Sequence, residues 1–370
     1  MDMKAGYFST ENKIFNVLDV CMYKHDIPPE LRLIIKLYLQ NTIEESTNLQ
    51  PLLKEAFDDY YQDIPFHESH VILSYGIVDF WDTSRVTNMN KAFEYSSINT
   101  PLRKVIPFNI THWNTSSVTS MISMFRSCIF SPNWHIEHWD VSKVTTMHAI
   151  FASSYGFNRP IGKWKIDNLQ HASFMFQFCR HFNQSLVSWN TSNIKDTASM
   201  FDGATGMEWE WEIEDWDVSK LIHTGSMFKG CITFNRPLNK WNVSRVSYMS
   251  DMFDGCVSFN QPLHDWDTKN LVWCTKMFKN CAAYNQPMNT WNVKKVTSCD
   301  GMFIGATSLN QSFRHWFDGT QLTIASCGSS MFRNCRLLQR DEQEWELLKD
   351  LNPSQKMSFM QELGFPIDTY

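Results

Sequence analysis

Large apolar residues recur along this chain with a period of about 25 residues. Ten tryptophans share one register: Trp81, Trp113, Trp139, Trp164, Trp189, Trp216, Trp241, Trp266, Trp291 and Trp316. With each Trp as position zero, position −3 is apolar in all ten, from Val78 and Ile110 to Phe313. Position +2 is β-branched in nine, and position +12 is Phe in the same nine, Phe93 to Phe303. A four-residue insertion displaces the tenth copy to Phe332. Side chains alternate along a strand, so Trp and the +2 residue predict a short strand with one buried face. Apolar residues at +5, +8, +11 and +12, such as Val246, Met249, Met252 and Phe253, follow helical spacing. The Ser common at +3 reads as an N-cap, and Gly or Asn at +14, such as Gly255 and Asn280, reads as a left-handed helix stop. Each unit is therefore expected to be strand, short helix and loop, unable to bury its Trp and Phe without neighbours. The expected architecture is a repeat solenoid of about ten coils over residues 76–335, with helical caps at 1–75 and 336–370.

The spacing apolar-x-x-Trp-x-Val-x-x-Val resembles the leucine-rich-repeat core. The fuller pattern, seen best from Trp241-Asn-Val-Ser-Arg-Val through Phe259-Asn-Gln-Pro-Leu263, resembles the BspA-like surface-protein repeat. That resemblance implies a leucine-rich-repeat-like solenoid with a protein-binding or adhesive role. In the N-terminal segment, Ile27-Pro28-Pro29-Glu30-Leu31 with Ile34 and Ile35 resembles the opening of an F-box, which implies docking of a Skp1-type adaptor. A plain helical cap over the first coil is the alternative. Gln339–Leu351 and Pro353–Leu363 read as two helices closing the other end.

Composition narrows the function classes. The net charge is −6 over 370 residues, which disfavours sequence-independent nucleic-acid binding. No apolar run approaches the roughly 18 residues of a membrane span. No apolar leader is visible at the N-terminus, so the expected setting is cytoplasmic or virion-associated. Six of the ten Cys occupy position +15, where other copies carry Ser or Ala, and this interchange reads as a small buried position with reduced thiols. Asn at +19, Asn158 to Asn310, reads as a ladder that satisfies loop backbone groups.

The expected recognition surface is the open face beside the tryptophans. Its candidates are Asp82, Asp140, Lys165, Asp217 and Asp267 at +1, and His112, His138, Lys163, Asp215, Lys240 and Asp265 at −1. Variation there fits recognition and fits plain solvent exposure equally. The run Glu208-Trp209-Glu210-Trp211-Glu212 breaks the repeat and reads either as an acidic patch for a basic partner or as a longer strand with a solvated face. His112 with His138, and His67 with His70, lack a third ligand, and no nucleophile, phosphate-loop or zinc-protease motif is present. The sequence therefore points to a non-enzymatic protein-binding solenoid without cofactors, in one version a substrate-recognition adaptor. A structural or adhesive surface or virion component is the alternative.

Overall fold

A computed structural model describes residues 51, 53, 78–94, 109–130, 134–208, 213–317, 322, 330–338 and 361. The repeats stack coil on coil, but the coil is built from turns, which corrects the strand-plus-helix expectation. No strand or α-helix runs through any described coil; the named elements there are the 3-10 turns Val78–Phe80, Ile161–Lys163 and Arg314–Phe317. The helical caps expected at 1–75 and 336–370 lie outside the described residues, apart from Pro51, Leu53, Arg336–Leu338 and Gln361.

The expected strand at each Trp is a tight turn. In all ten coils the Trp N–H donates to the carbonyl three residues back, as in Trp241 to Leu238 at 3.0 Å. A second turn joins +5 to +2, as in Val246 to Val243 at 2.8 Å. Successive i→i−3 turns space buried side chains by three. That spacing imitates the 3.6-residue period of a helical face, which is why the sequence suggested a helix.

Hydrogen bonding from +8 to +15 alternates with period two. In the Trp216 coil, the N–H groups of Thr224, Ser226, Phe228 and Gly230 donate to Tyr248, Ser250, Met252 and Asp254 of the next coil at 3.0, 2.8, 3.0 and 2.7 Å. The intervening N–H groups of Met227, Lys229 and Cys231 turn back to Thr224, Ser226 and Phe228 at 3.1, 3.1 and 3.0 Å. Seven successive or near-successive backbone donors of the run are thereby satisfied without a strand or a helix. Parallel single-residue bridges at +7 link the coils in register, Asn88–Ser120–Thr146–His171–Asp196–His223–Tyr248–Trp273–Ser298.

This alternation needs a left-handed residue at +10 in nine coils: Lys91, Ser123, Ala149, Phe174, Ser199, Ser226, Asp251, Lys276 and Gly301. Eight of these carry a Cβ, which costs about 1–2 kcal/mol each in that region. Ser226 (φ 57°) is half-buried. Ser226→Gly is therefore expected to stabilise the fold by about 0.5–1 kcal/mol, the relief exceeding the added unfolded-state entropy. A urea midpoint that falls would contradict this.

Inside, the +12 phenylalanines form a continuous column. Successive ring centroids from Phe93 through Phe332 lie 5.5–5.9 Å apart. A second file at +18 joins it, with Phe228–Phe234 at 4.2 Å and Phe253–Phe259 at 4.2 Å. Each Trp is buried, and seven of them donate Nε1–H to the −3 carbonyl of the preceding coil at 2.8–3.1 Å, as Trp241 does to Ile213. A buried indole would otherwise leave an unsatisfied donor.

The polar repeat positions stitch coil to coil. The Asn235 Oδ1 accepts the Asn260 N–H, Asn260 Oδ1 that of Asn285, and Asn285 Oδ1 that of Asn310, at 2.8–2.9 Å. All eight described cysteines are buried thiols outside any disulfide. The six at +15 point Sγ–H at the +12 carbonyl of the preceding coil, as Cys256 does to Phe228 at 2.9 Å. Ser154 makes the same contact to Phe125 through its hydroxyl, which explains the interchange of Cys and Ser. Burial pushes the Cys179 and Cys335 thiols up to about 12, so the nucleophilic thiolate is suppressed.

Candidate interaction surface

The +1 carboxylates are exposed, but their first role is local. Asp82, Asp140, Asp217 and Asp267 each accept, through Oδ1, the N–H two residues on, from Ser84, Ser142, Ser219 and Lys269 at 2.9–3.3 Å. Asn114, Asn190, Asn242 and Asn292 do the same in other coils. These Asx-turns replace the helix N-cap expected of the +3 Ser, and they explain why +1 is restricted to Asp and Asn in eight of nine coils. The ninth coil has the exposed Lys165.

The turn hydrogen bonds hold all four Asp carboxyls below the usual carboxylate range. For Asp82 the Ser84 backbone N–H is the main cause, for Asp140 and Asp217 the following Ser, and for Asp267 the Lys269 side chain. A lowered folded value means the stabilisation is present above the unfolded pKa and is lost as pH falls through the folded one. Replacing all four by Asn keeps the acceptor and removes the titration. The variant is expected to show a flatter loss of melting temperature than the parent from about pH 4 down to about pH 2. Parallel curves would count against this role.

The −1 residues are exposed and make pairwise contacts. His138 Nε2 lies 2.8 Å from the Thr111 carbonyl. Lys240 pairs with Asp215 at 3.4 Å, and Asp265 pairs with His264 at 3.6 Å and accepts from Asn239. His112 and Lys163 face solvent. No group of three or more metal-ligating side chains occurs among the described residues, so the structure brings no third ligand to His112 and His138. Glu208 is exposed, with its N–H on Asn183 Oδ1 at 3.0 Å. Trp209, Glu210, Trp211 and Glu212 lie outside the described residues, as do Pro28, Pro29, Leu31, Ile34 and Ile35.

A feature the Trp register conceals stands on the bridge ladder itself. At +7, three consecutive coils carry His223, Tyr248 and Trp273, joined directly by parallel bridges. Their rings succeed one another at 6.2 and 5.9 Å, tilted by 61° and 49°. Tyr248 is 38% and Trp273 43% exposed, and His223 is exposed. The Tyr248 ring covers Gly225, where a Cβ would stand 2.3 Å from Cε1. Ile222 and Val272 flank the strip, half-buried. Exposed Tyr and Trp are uncommon enough on a monomer surface to be informative, and such rings supply large contact area with little side-chain entropy to lose. The signal in the sequence was three aromatic rings 25 residues apart in their own register, offset by seven from the buried tryptophans.

Among the described residues no helix is long and apolar enough to cross a membrane. No curated protein and no solved structure matches the chain. A family model described as "Mycoplasma protein of unknown function, DUF285" matches residues 66–106, 102–211 and 206–316, which together span most of the stack. The matched segments start after Pro28–Ile35, so they lend the F-box-like reading no support. The matches cover most of the chain, which belongs to this BspA-like DUF285 repeat family.

Proposed function

We propose that the chain is a non-enzymatic protein-binding stack whose partner seats on the His223–Tyr248–Trp273 strip. The observation that carries this reading is the exposure of two large aromatic rings at a bridge position where other coils carry small polar side chains such as Ser120, Asp196 and Ser298. Burial of such rings at an interface is a common source of concentrated binding energy. The rigid bridge ladder beneath fixes their spacing before binding, so little ordering cost remains.

The test is affinity purification from the native host with the full chain and with the double variant Tyr248→Ser, Trp273→Ser. A set of partners lost from the variant, at unchanged melting temperature, supports the reading. An unchanged set removes it. The adaptor version requires a Skp1-type protein in the set, retained by the strip variant and lost on replacing Leu31, Ile34 and Ile35 by Ser. The adhesive or virion version requires the chain on intact cells or in purified particles.

A further inference from the structure

A separate open cleft lies at another corner of the stack, between the Trp139 and Trp164 coils. It encloses about 450 Å³ and is lined by Ser153, Tyr155, Phe178, Arg180 and His181. Ser153 and Tyr155 come from one coil and the other three from the next. Tyr155 is 52% and Phe178 46% exposed, and the Tyr155 ring meets His181 edge-on at 4.6 Å.

Phe178 holds its place at a backbone cost. It occupies +14 with φ 55°, where four coils use Gly203, Gly230, Gly255 and Gly305. The fold takes left-handed backbone at +14 in several other coils as well, through Ser127, Ser153, Asn280 and Asn334, but only here does a bulky ring bear it. The next coil accommodates it, because Gly203 leaves room for the Phe178 ring that a Cβ would strike at 2.4 Å. The strained ring is exposed, so core packing does not account for it.

The charge of the cleft is opposite to that of the chain. Arg180 supplies the charge, no carboxylate lines the cleft, and the whole chain carries −6. Among the described residues Arg180 has no ion-pair partner. A guanidinium beside two rings suits a carboxylate attached to an apolar side chain, since Arg binds carboxylate through two parallel N–H donors and the rings exclude water around them.

We propose that this cleft docks an acidic peptide segment of a partner protein, with one carboxylate on Arg180 and the adjoining aromatic or aliphatic side chain between Tyr155 and Phe178. The site lies apart from the aromatic strip and does not depend on it.

The probe is a fluorescein-labelled pentapeptide Glu-Trp-Glu-Trp-Glu, titrated by anisotropy with the full chain. Its controls are Gln-Trp-Gln-Trp-Gln and a single-stranded oligouridylate. The expected result is saturable binding of the Glu peptide, weakened about tenfold or more by Arg180→Glu and by Phe178→Gly, and at least as much by the Gln replacements. Phe178→Gly relieves the backbone, so a lost signal there reports the ring and not unfolding. Tyr248→Ser with Trp273→Ser is expected to bind the peptide like the parent, which separates failure of this site from failure of the strip. Equal affinity for the Gln peptide, no effect of Arg180→Glu, or binding of the oligouridylate in place of the peptide would overturn the proposal.

Discussion

Phe228→Ala is expected to lower the unfolding free energy by about 3–5 kcal/mol. The ring is fully buried, lies 5.9 Å from Phe201 and 5.8 Å from Phe253 in the column, and rests 4.2 Å from Phe234 within its own coil. Truncation removes contacts on three sides at once, and the backbone cannot close the gap. Phe228 N–H is bonded to Met252 of the next coil, and its carbonyl accepts both Cys231 N–H and Cys256 Sγ–H. A stack of this kind is held together by neighbour-to-neighbour interfaces, so a cavity at one rung weakens the coupling of the coils on either side. Urea unfolding followed by circular dichroism is then expected to show an earlier midpoint or a division into two transitions. Val257→Ala is the control: Val257 is 46% exposed, and its loss is expected to stay within about 0.5 kcal/mol. A loss below about 1 kcal/mol at Phe228 would mean that the column is not the main support of the stack.

The parts of this fold legible in the sequence are those where a side chain does the same work in most coils. Trp at zero, Phe at +12, Asn at +19 and Cys or Ser at +15 each make a fixed inter-coil contact, and their recurrence exposes the period. The local conformation was not legible, for two reasons. Turns closing every three residues place apolar side chains almost where a helix would. The alternation from +8 to +15 rests on left-handed backbone at +10, and the residues there, among them Lys91, Ala149, Phe174 and Asp251, share no propensity that could announce it. The surface was read in part. Asp and Asn at +1 look like a solvated recognition row, yet each first closes its own turn. The aromatic strip at +7 stayed hidden because the register is set by the buried tryptophans, from which the strip is offset by seven residues. Phe178 gave no signal either, since only its backbone conformation shows what it costs to keep a ring there.

Gly206→Ala is expected to cost about 3 kcal/mol, more than an alanine at any left-handed glycine of the stack. An added Cβ at Gly206 would stand 2.0 Å from the Arg180 carbonyl oxygen and 3.3 Å from the His181 Cα. Both are backbone atoms of the preceding coil, so no side-chain rotation relieves the clash and the two coils must part. Gly255 provides the comparison. Its φ is 79°, but its Cβ would meet nothing closer than the Gly230 Cα at 3.6 Å, so alanine there pays only the left-handed strain of about 1–2 kcal/mol. The urea midpoint of Gly206→Ala is therefore expected below that of Gly255→Ala, the reverse of the order that φ alone would give. Because the displaced carbonyl belongs to Arg180, the same substitution is also expected to weaken binding of the acidic peptide in the fraction that stays folded. Gly255→Ala, three coils from the cleft, leaves Arg180 in place and is expected to bind as the parent does.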